Sequence, residues 1–138
     1  MPRGRILALD YGSKNIGLAT SDELGVAVRP LPSIPNRSRL DLLRRLRATV
    51  KELAIEALVV GLPLHMNGSS GEAVDRARRF MEHLRRELGL PLWEVDERLS
   101  TIEAAEVWRA MSARQQRRYR TLDSLAAALI LERFLEES

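Results

Sequence analysis

Apolar positions along the chain fall into two rhythms, short continuous runs and three-to-four-residue repeats. Residues 5–10 (Arg-Ile-Leu-Ala-Leu-Asp) form a short apolar run like a buried strand. Gly12 and Ser13 break it, and residues 16–20 (Ile-Gly-Leu-Ala-Thr) resume as a second strand, so the pair reads as a hairpin. Residues 26–31 are a third strand, closed by Pro30 and Pro32. Over residues 38–53 the rhythm changes. Leu40, Leu43, Leu46, Val50 and Leu53 recur at helical spacing, with basic residues on the other face. Residues 57–61 return to a buried strand, followed by a polar loop with Pro63 and Asn67-Gly68. Ser69 and Glu72 fit a capping box for a helix running to about Leu88, which Gly89 stops just before Pro91. Residues 92–95 are a fifth strand. Ser100 and Glu103 suggest a second capping box, for a helix to about Met111. Residues 112–120 read as a basic connector, and residues 122–135 as a final helix rich in Ala and Leu.

The order β-β-β-α-β-α-β-α-α predicts an α/β fold. Three consecutive strands favour an antiparallel meander, and the strand–helix–strand units after it favour parallel crossovers. The expectation is a mixed five-stranded sheet flanked by helices on both faces, with ligands near the carboxyl ends of the parallel strands. No repeat or Gly/Ser linker interrupts the chain, so residues 1–138 are expected to form one domain.

Composition narrows the function classes. Aromatic residues are 4% of the 138, so the core must come from Leu, Ala, Val and Ile. No apolar run approaches the roughly 20 residues that span a bilayer, and the start lacks the apolar stretch of a signal peptide. A membrane partner is not expected. The absence of cysteine excludes disulfides, thiolate zinc sites and cysteine nucleophiles. Net charge is +3, and of the 22 basic residues only Lys14 and Lys51 are lysine. Arginine suits bidentate phosphate contact, which points toward nucleic acid. An arginine-rich genome would produce the same count, so charge alone carries no claim.

The acidic residues carry more. Asp10 ends strand one and shares a face with Ile6 and Ala8. Asp96 and Glu97 end strand five on opposite faces: Trp93, Val95 and Glu97 on one, Glu94 and Asp96 on the other. Asp123 lines up with Ala126, Ala127 and Ile130, the face of the last helix that should pack on the sheet. A carboxylate on a packed face is costly unless paired, hydrogen-bonded or bound to a cation. Each has a local role open to it. Asp10 can close a turn, Asp123 can cap its helix, and Glu97 can pair with Arg98. Taken together they suggest a cluster. If strands one and five run toward the same sheet edge and the last helix packs on the sheet, the three converge, and like charges there call for a divalent cation. Oxygen ligands without His or Cys select Mg²⁺ or Mn²⁺. Such a site suits phosphodiester hydrolysis with two ions about 4 Å apart.

The same residues carry a resemblance. The run Asp10-Tyr11-Gly12-Ser13-Lys14-Asn15-Ile16-Gly17-Leu18-Ala19-Thr20-Ser21-Asp22 resembles the opening motif of the YqgF/RuvX proteins. So do Val60-Gly61-Leu62-Pro63-Leu64 with Met66-Asn67-Gly68, then Asp96-Glu97-Arg98-Leu99-Ser100-Thr101, and Asp123-Ser124-Leu125-Ala126-Ala127. Four motifs in order span about residues 5–135. The resemblance implies an RNase H-like fold related to RuvC-type Holliday junction resolvases. It also implies a bacterial cytoplasmic nuclease that matures the 5′ end of pre-16S ribosomal RNA. By motif, Asp10, Glu97 and Asp123 would be the catalytic, metal-binding carboxylates, with Asp96 the alternative to Glu97. Asn15 stands where the family usually carries Arg, with Lys14 the candidate substitute. Ser100 stands where a Thr is usual.

Further candidates surround these. The loop 61–70 ends at a helix start, where backbone amides suit phosphate, and Asn67 and Ser69 are the candidate contacts. An ordinary strand-to-helix link has the same composition, and His65 within it suggests no catalysis. Arg98, and Arg114, Arg117, Arg118 and Arg120 just before Asp123, are candidate phosphate contacts. Tyr119 could stack on a base. Arginines on the helix 72–88 are expected to be solvated, and Trp93 and Trp108 to be core or interface residues. The leading expectation is a Mg²⁺- or Mn²⁺-dependent nuclease acting on structured ribosomal RNA precursors, with the ribosome a candidate partner. The alternatives are a resolvase of branched DNA and a non-catalytic RNA-binding assembly factor. An actin-type nucleotide site would need two large lobes, which 138 residues do not supply.

Overall fold

The computed structural model describes residues 4–62, 71–96 and 98–137; within its helices the side chains of residues 73 and 98–102 fall outside that description. Strands β1 (Arg5–Tyr11), β2 (Asn15–Ser21) and β3 (Val28–Pro35) precede α1 (Arg39–Glu52). Then come β4 (Ile55–Leu62), α2 (Glu72–Leu88), β5 (Leu92–Asp96), α3 (Arg98–Ala110), α4 (Ala113–Tyr119) and α5 (Leu122–Glu136). The sheet order is β3-β2-β1-β4-β5. β1 pairs antiparallel with β2, and β2 with β3. β1–β4 and β4–β5 are parallel. The meander and the crossovers therefore stand as the residue pattern predicts.

Alternation along the strands sorts the core onto two faces. Leu7 and Leu9 of β1, with Leu58, Val60 and Leu62 of β4, pack under Leu42 and Leu46 of α1 and Phe80, Met81 and Leu84 of α2. Ile6 and Ala8, with Ala19, Ala57 and Val59, pack under Ala127, Ala128, Ile130 and Leu131 of α5. Ala104 of α3 and Leu125 and Ala126 of α5 form a third cluster with Trp108 and Tyr119 at its margin. Trp93 is exposed on edge strand β5, where its ring lies 5.9 Å from that of Phe134.

Several boundaries differ from the sequence reading, each for a local reason. β3 runs through Pro30 and Pro32 to Pro35. It is an edge strand, where missing N–H groups cost no ladder bond when they face solvent. The first turn of α2 is capped by Gly71, not Ser69, and has no side-chain cap. α3 begins at Arg98, so Ser100 lies inside the helix and is not its cap. Residues 113–119 are helical, with Ser112 and Gln115 forming a reciprocal capping box. Asp123 does not cap α5; the Thr121 hydroxyl does, accepting from the Ser124 N–H at 3.0 Å. Among the described residues no helix is long and apolar enough to cross a membrane.

Candidate active site

Asp10 sits one residue from the carboxyl end of β1 and is half-buried. Its cross-strand neighbours are both glycines, Gly17 on β2 and Gly61 on β4. Gly17 decides the geometry. A Cβ added there would lie 2.0 Å from the backbone oxygen of Asp123 and 3.0 Å from its Cβ. The bare α-carbon lets the first turn of α5 lie directly on β2, beside the strand position that carries Asp10. The small side chains of Ala8, Ala19, Ala127 and Ala128 continue the same close contact along the helix.

Hydroxyl groups hold that turn in place. Ser124 is fully buried and donates to the Leu31 carbonyl of β3. Thr121 and Ser33 share a hydrogen bond of 2.7 Å. The start of α5 is thus pinned to the edge of the sheet on one side and seated on Gly17 on the other. Neither the Gly17 contact nor the Ser33–Thr121–Ser124 cluster was anticipated from sequence. Thr121-x-x-Ser124 at a helix start is the signal that could have found the cluster.

Burial, and then the charge of Asp10, raises the pKa of Asp123 above the ordinary carboxylate value. Two half-buried carboxylates close enough to repel favour binding a proton or a cation between them. Asp10 and Asp123 bring carboxylate oxygens to this point, which fits a hard divalent ion such as Mg²⁺ or Mn²⁺. Among the described residues no group of three or more His, Asp or Glu comes together. Asp96 pairs in register with Leu62, which belongs to the face covered by α1 and α2. Asp10 is in the row of Gly61 and Val95, on the α5 face. Asp96 therefore lies on the opposite face and two strands away, about 10 Å at the usual strand spacing. Glu97, Asn67, Ser69 and His65 lie outside the described residues, as does the side chain of Arg98.

The remaining basic candidates are exposed. Lys14 is at the β1–β2 turn, whose backbone is fastened by Asn36: its N–H donates to the Lys14 carbonyl at 2.8 Å and its side-chain amide to the Gly12 carbonyl at 2.9 Å. Arg114, Arg117 and Arg118 lie on α4, and Arg120 terminates it. Arg120 is three residues from Asp123 in sequence, and α4 packs against α5. Arg39 was not anticipated. Its guanidinium lies 5.6 Å from the centre of the Phe80 ring. Tyr11, which follows Asp10, stacks on that same ring at 4.8 Å.

Comparison with known proteins identifies the family and the fold. A family model described as RuvX, Holliday junction resolvase, matches residues 4–137. A Moorella thermoacetica protein named "Putative pre-16S rRNA nuclease" is 41% identical over 132 residues, 96% of this chain and 94% of its own. A Koribacter versatilis protein of the same name is 39% identical over 133 residues, 96% of this chain and 87% of its own. Among solved structures, Thermus thermophilus RuvC in complex with a Holliday junction substrate superimposes with a TM-score of 0.60 at 14% identity, covering 98% of this chain and 96% of its own. The fowlpox virus Holliday junction resolvase superimposes with a TM-score of 0.59 at 12% identity, covering 97% and 99%. At these identities the likeness is one of fold, the RuvC-like form of the RNase H-like fold.

Proposed function

The chain belongs to the RuvX family, and from that membership we propose that it is a divalent-metal-dependent nuclease that hydrolyses phosphodiester bonds during 5′-end maturation of pre-16S ribosomal RNA. The observation that carries the proposal is the meeting of Asp10 and Asp123 at the carboxyl end of β1, made possible by Gly17. Relatives named for pre-16S rRNA supply the substrate. Such a reaction belongs in the bacterial cytoplasm, with precursor RNA presented free or on the assembling ribosome.

Asp10 and Asp123 would hold the cation, Mg²⁺ or Mn²⁺, with Glu97 as the third carboxylate. Glu97 is preferred to Asp96 because β5 alternates, and Val95 shares the face of Asp10 while Asp96 does not. When bound, the metal supplies an activated water and charge stabilisation on the phosphoryl oxygen. The protein's own part is placement. Gly17 and the hydroxyl cluster fix Asp123 against Asp10, and the arginines of α4 with Lys14 hold the phosphates that flank the scissile one.

The test is a cleavage assay in Mn²⁺ with a 5′-extended 16S rRNA fragment and a four-way DNA junction side by side. Loss of an outer partner of a metal ligand typically costs about 10–100-fold, so Asp10→Asn, which alters a ligand, should cost at least that. RNA cleavage unaffected by Asp10→Asn would overturn the proposal. The second reading, cleavage of branched DNA, is favoured by the family's own description. Junction cleavage without RNA cleavage would select it. Tight RNA binding with no cleavage of either substrate would select a non-catalytic assembly factor.

A further inference from the structure

Beyond the carboxylates, one groove brings Arg120 together with two basic residues that have had no role so far, Arg29 and Arg45. It lies between the edge strand β3 and the second half of α1, with a volume of about 510 Å³. Pro30, Leu31 and Pro32 of β3 and Leu53 at the end of α1 give it apolar walls. Three guanidinium groups border it: Arg29 from β3, Arg45 from α1, and Arg120 from the α4–α5 junction. Glu52 is its acidic member. Arg45 is partly neutralised by Asp41 at 3.1 Å. Arg29 and Arg120 have no ion pair among the described residues and are both exposed.

The backbone of Arg120 is unusual. Its φ is 72° and its ψ −64°, and the Thr121 N–H donates to the Tyr119 carbonyl at 2.9 Å across it. That is a γ-turn of the positive-φ kind, which is rare and strained for a side chain with a Cβ. Glycine would adopt it more readily. Arginine occupies the position, beside a basic groove and three residues before Asp123. Three residues of chain span at most about 10 Å, so the backbone of Arg120 lies within that distance of the backbone of Asp123.

We infer that this groove is a second nucleic-acid subsite, which takes the phosphate backbone of a single-stranded segment flanking the scissile bond, with Arg29 and Arg120 as its principal phosphate contacts. It rests on the nucleic-acid reading of the carboxylate site. The class of ligand follows from the groove. Its charge is positive on balance, and its volume matches pockets of about 300–1,000 Å³ that take small ligands, too small to enclose a duplex. Its apolar walls suit sugar and base faces between the charges. It is also continuous in sequence with the site where a strand would be cut.

The experiment measures binding of a fluorescent single-stranded RNA in EDTA, where no cleavage occurs, across a salt series. The proteins are wild type, Arg29→Ala, Arg120→Ala, Arg120→Gly, and Arg86→Ala on the exposed face of α2 as the charge control. Each groove variant should weaken binding several-fold and flatten the slope of log affinity against log salt by about 0.7 per lost contact. Arg86→Ala should do neither. Arg120→Gly separates the guanidinium from a structural role: it should raise Tm while weakening binding, because it relieves the γ-turn and removes the charge. Wild-type affinity and slope in both Arg29→Ala and Arg120→Gly would overturn the inference, as would equal weakening by Arg86→Ala. Competition by polyglutamate as effective as that by unlabelled RNA would also overturn it, and would assign the groove to an acidic protein. Failure of the nuclease reading is distinguishable. There, Asp10→Asn leaves cleavage unchanged while the groove variants still lose RNA binding.

Discussion

The two faces of the sheet are built from different residues. Under α1 and α2 the core is Leu, Ile, Phe and Met, with Phe80, Leu42, Leu46, Met81 and Leu84 essentially inaccessible. Under α5 the strand residues are Ile6, Ala8, Gly17, Ala19, Ala57, Val59 and Gly61, and the helix answers with Ala127 and Ala128. Large side chains bury more apolar area and contribute more stability. Small ones let a helix approach closely and leave no slack in its position. The difference assigns stability chiefly to one face and the placement of Asp123 against Asp10 to the other. Substitutions on the two faces should therefore split stability from catalysis in opposite senses.

The largest expected effect on folding comes from the leucine face. Leu84→Ala should lose about 2–5 kcal/mol, the range for emptying a packed site. Cleavage per folded molecule, measured well below the shifted Tm, should stay at the wild-type level, since Leu84 packs on the sheet face opposite α5. A fall in turnover matching the fall in stability would mean that the faces are not separable.

Gly17→Ala is the counterpart. One methyl group would sit 2.0 Å from the Asp123 carbonyl oxygen, so α5 must shift. Overpacking of this kind costs about 1–3 kcal/mol. Displacing a reacting group by about 1 Å can cost on the order of a hundredfold in rate. Chemical denaturation beside single-turnover cleavage should show modest destabilisation with severe loss of rate. Severe destabilisation with full turnover would reverse the roles of the two faces. Thr121→Val should be milder, about 0.5–2 kcal/mol for the lost cap. Cleavage should again fall, and Thr121→Ser should recover both, because it restores the hydroxyl that accepts from Ser124 and meets Ser33.

The leucine face was the more legible in sequence. Helical spacing placed α1 within a residue at each end, and Ser38 caps it by accepting from the Asp41 N–H. The glycine stop of α2 is equally local, with Gly89 at φ 63°. The α5 face was legible in kind, since Asp10 and Asp123 both stood out as acids on apolar faces. What brings them together was not. The need for glycine at position 17 arises from a contact with a residue 106 positions later, which no local pattern encodes. The prolines of β3 misled for a similar reason: whether a strand tolerates them depends on its lying at the sheet edge. The helix at 113–119 was missed although Ser112-x-x-Gln115 announces it, because its charge density suggested a loop.

The pH dependence bears most directly on the α5 face. The pKa of Asp123 is raised in the folded chain, by burial first and by Asp10 second. The native state therefore binds the proton more tightly than the unfolded chain does, and stability falls as pH rises. The penalty is absent below the ordinary value of 3.8 and complete once pH has passed the raised folded value. Asp123→Asn removes the titrating charge. Measured without divalent metal, its stability should match that of the wild type at the acidic end and exceed it increasingly as pH rises, levelling off once pH has passed the raised folded value. Saturating Mg²⁺ should then stabilise the wild type, by about 2.7 kcal/mol at a hundred times Kd, and leave Asp123→Asn nearly unchanged. A wild type that gains stability with pH through this window, relative to Asp123→Asn, would mean that the carboxylate is already compensated within the protein. In that case the close face would exist for packing, and the pairing of Asp10 with Asp123 would have no claim on a cation.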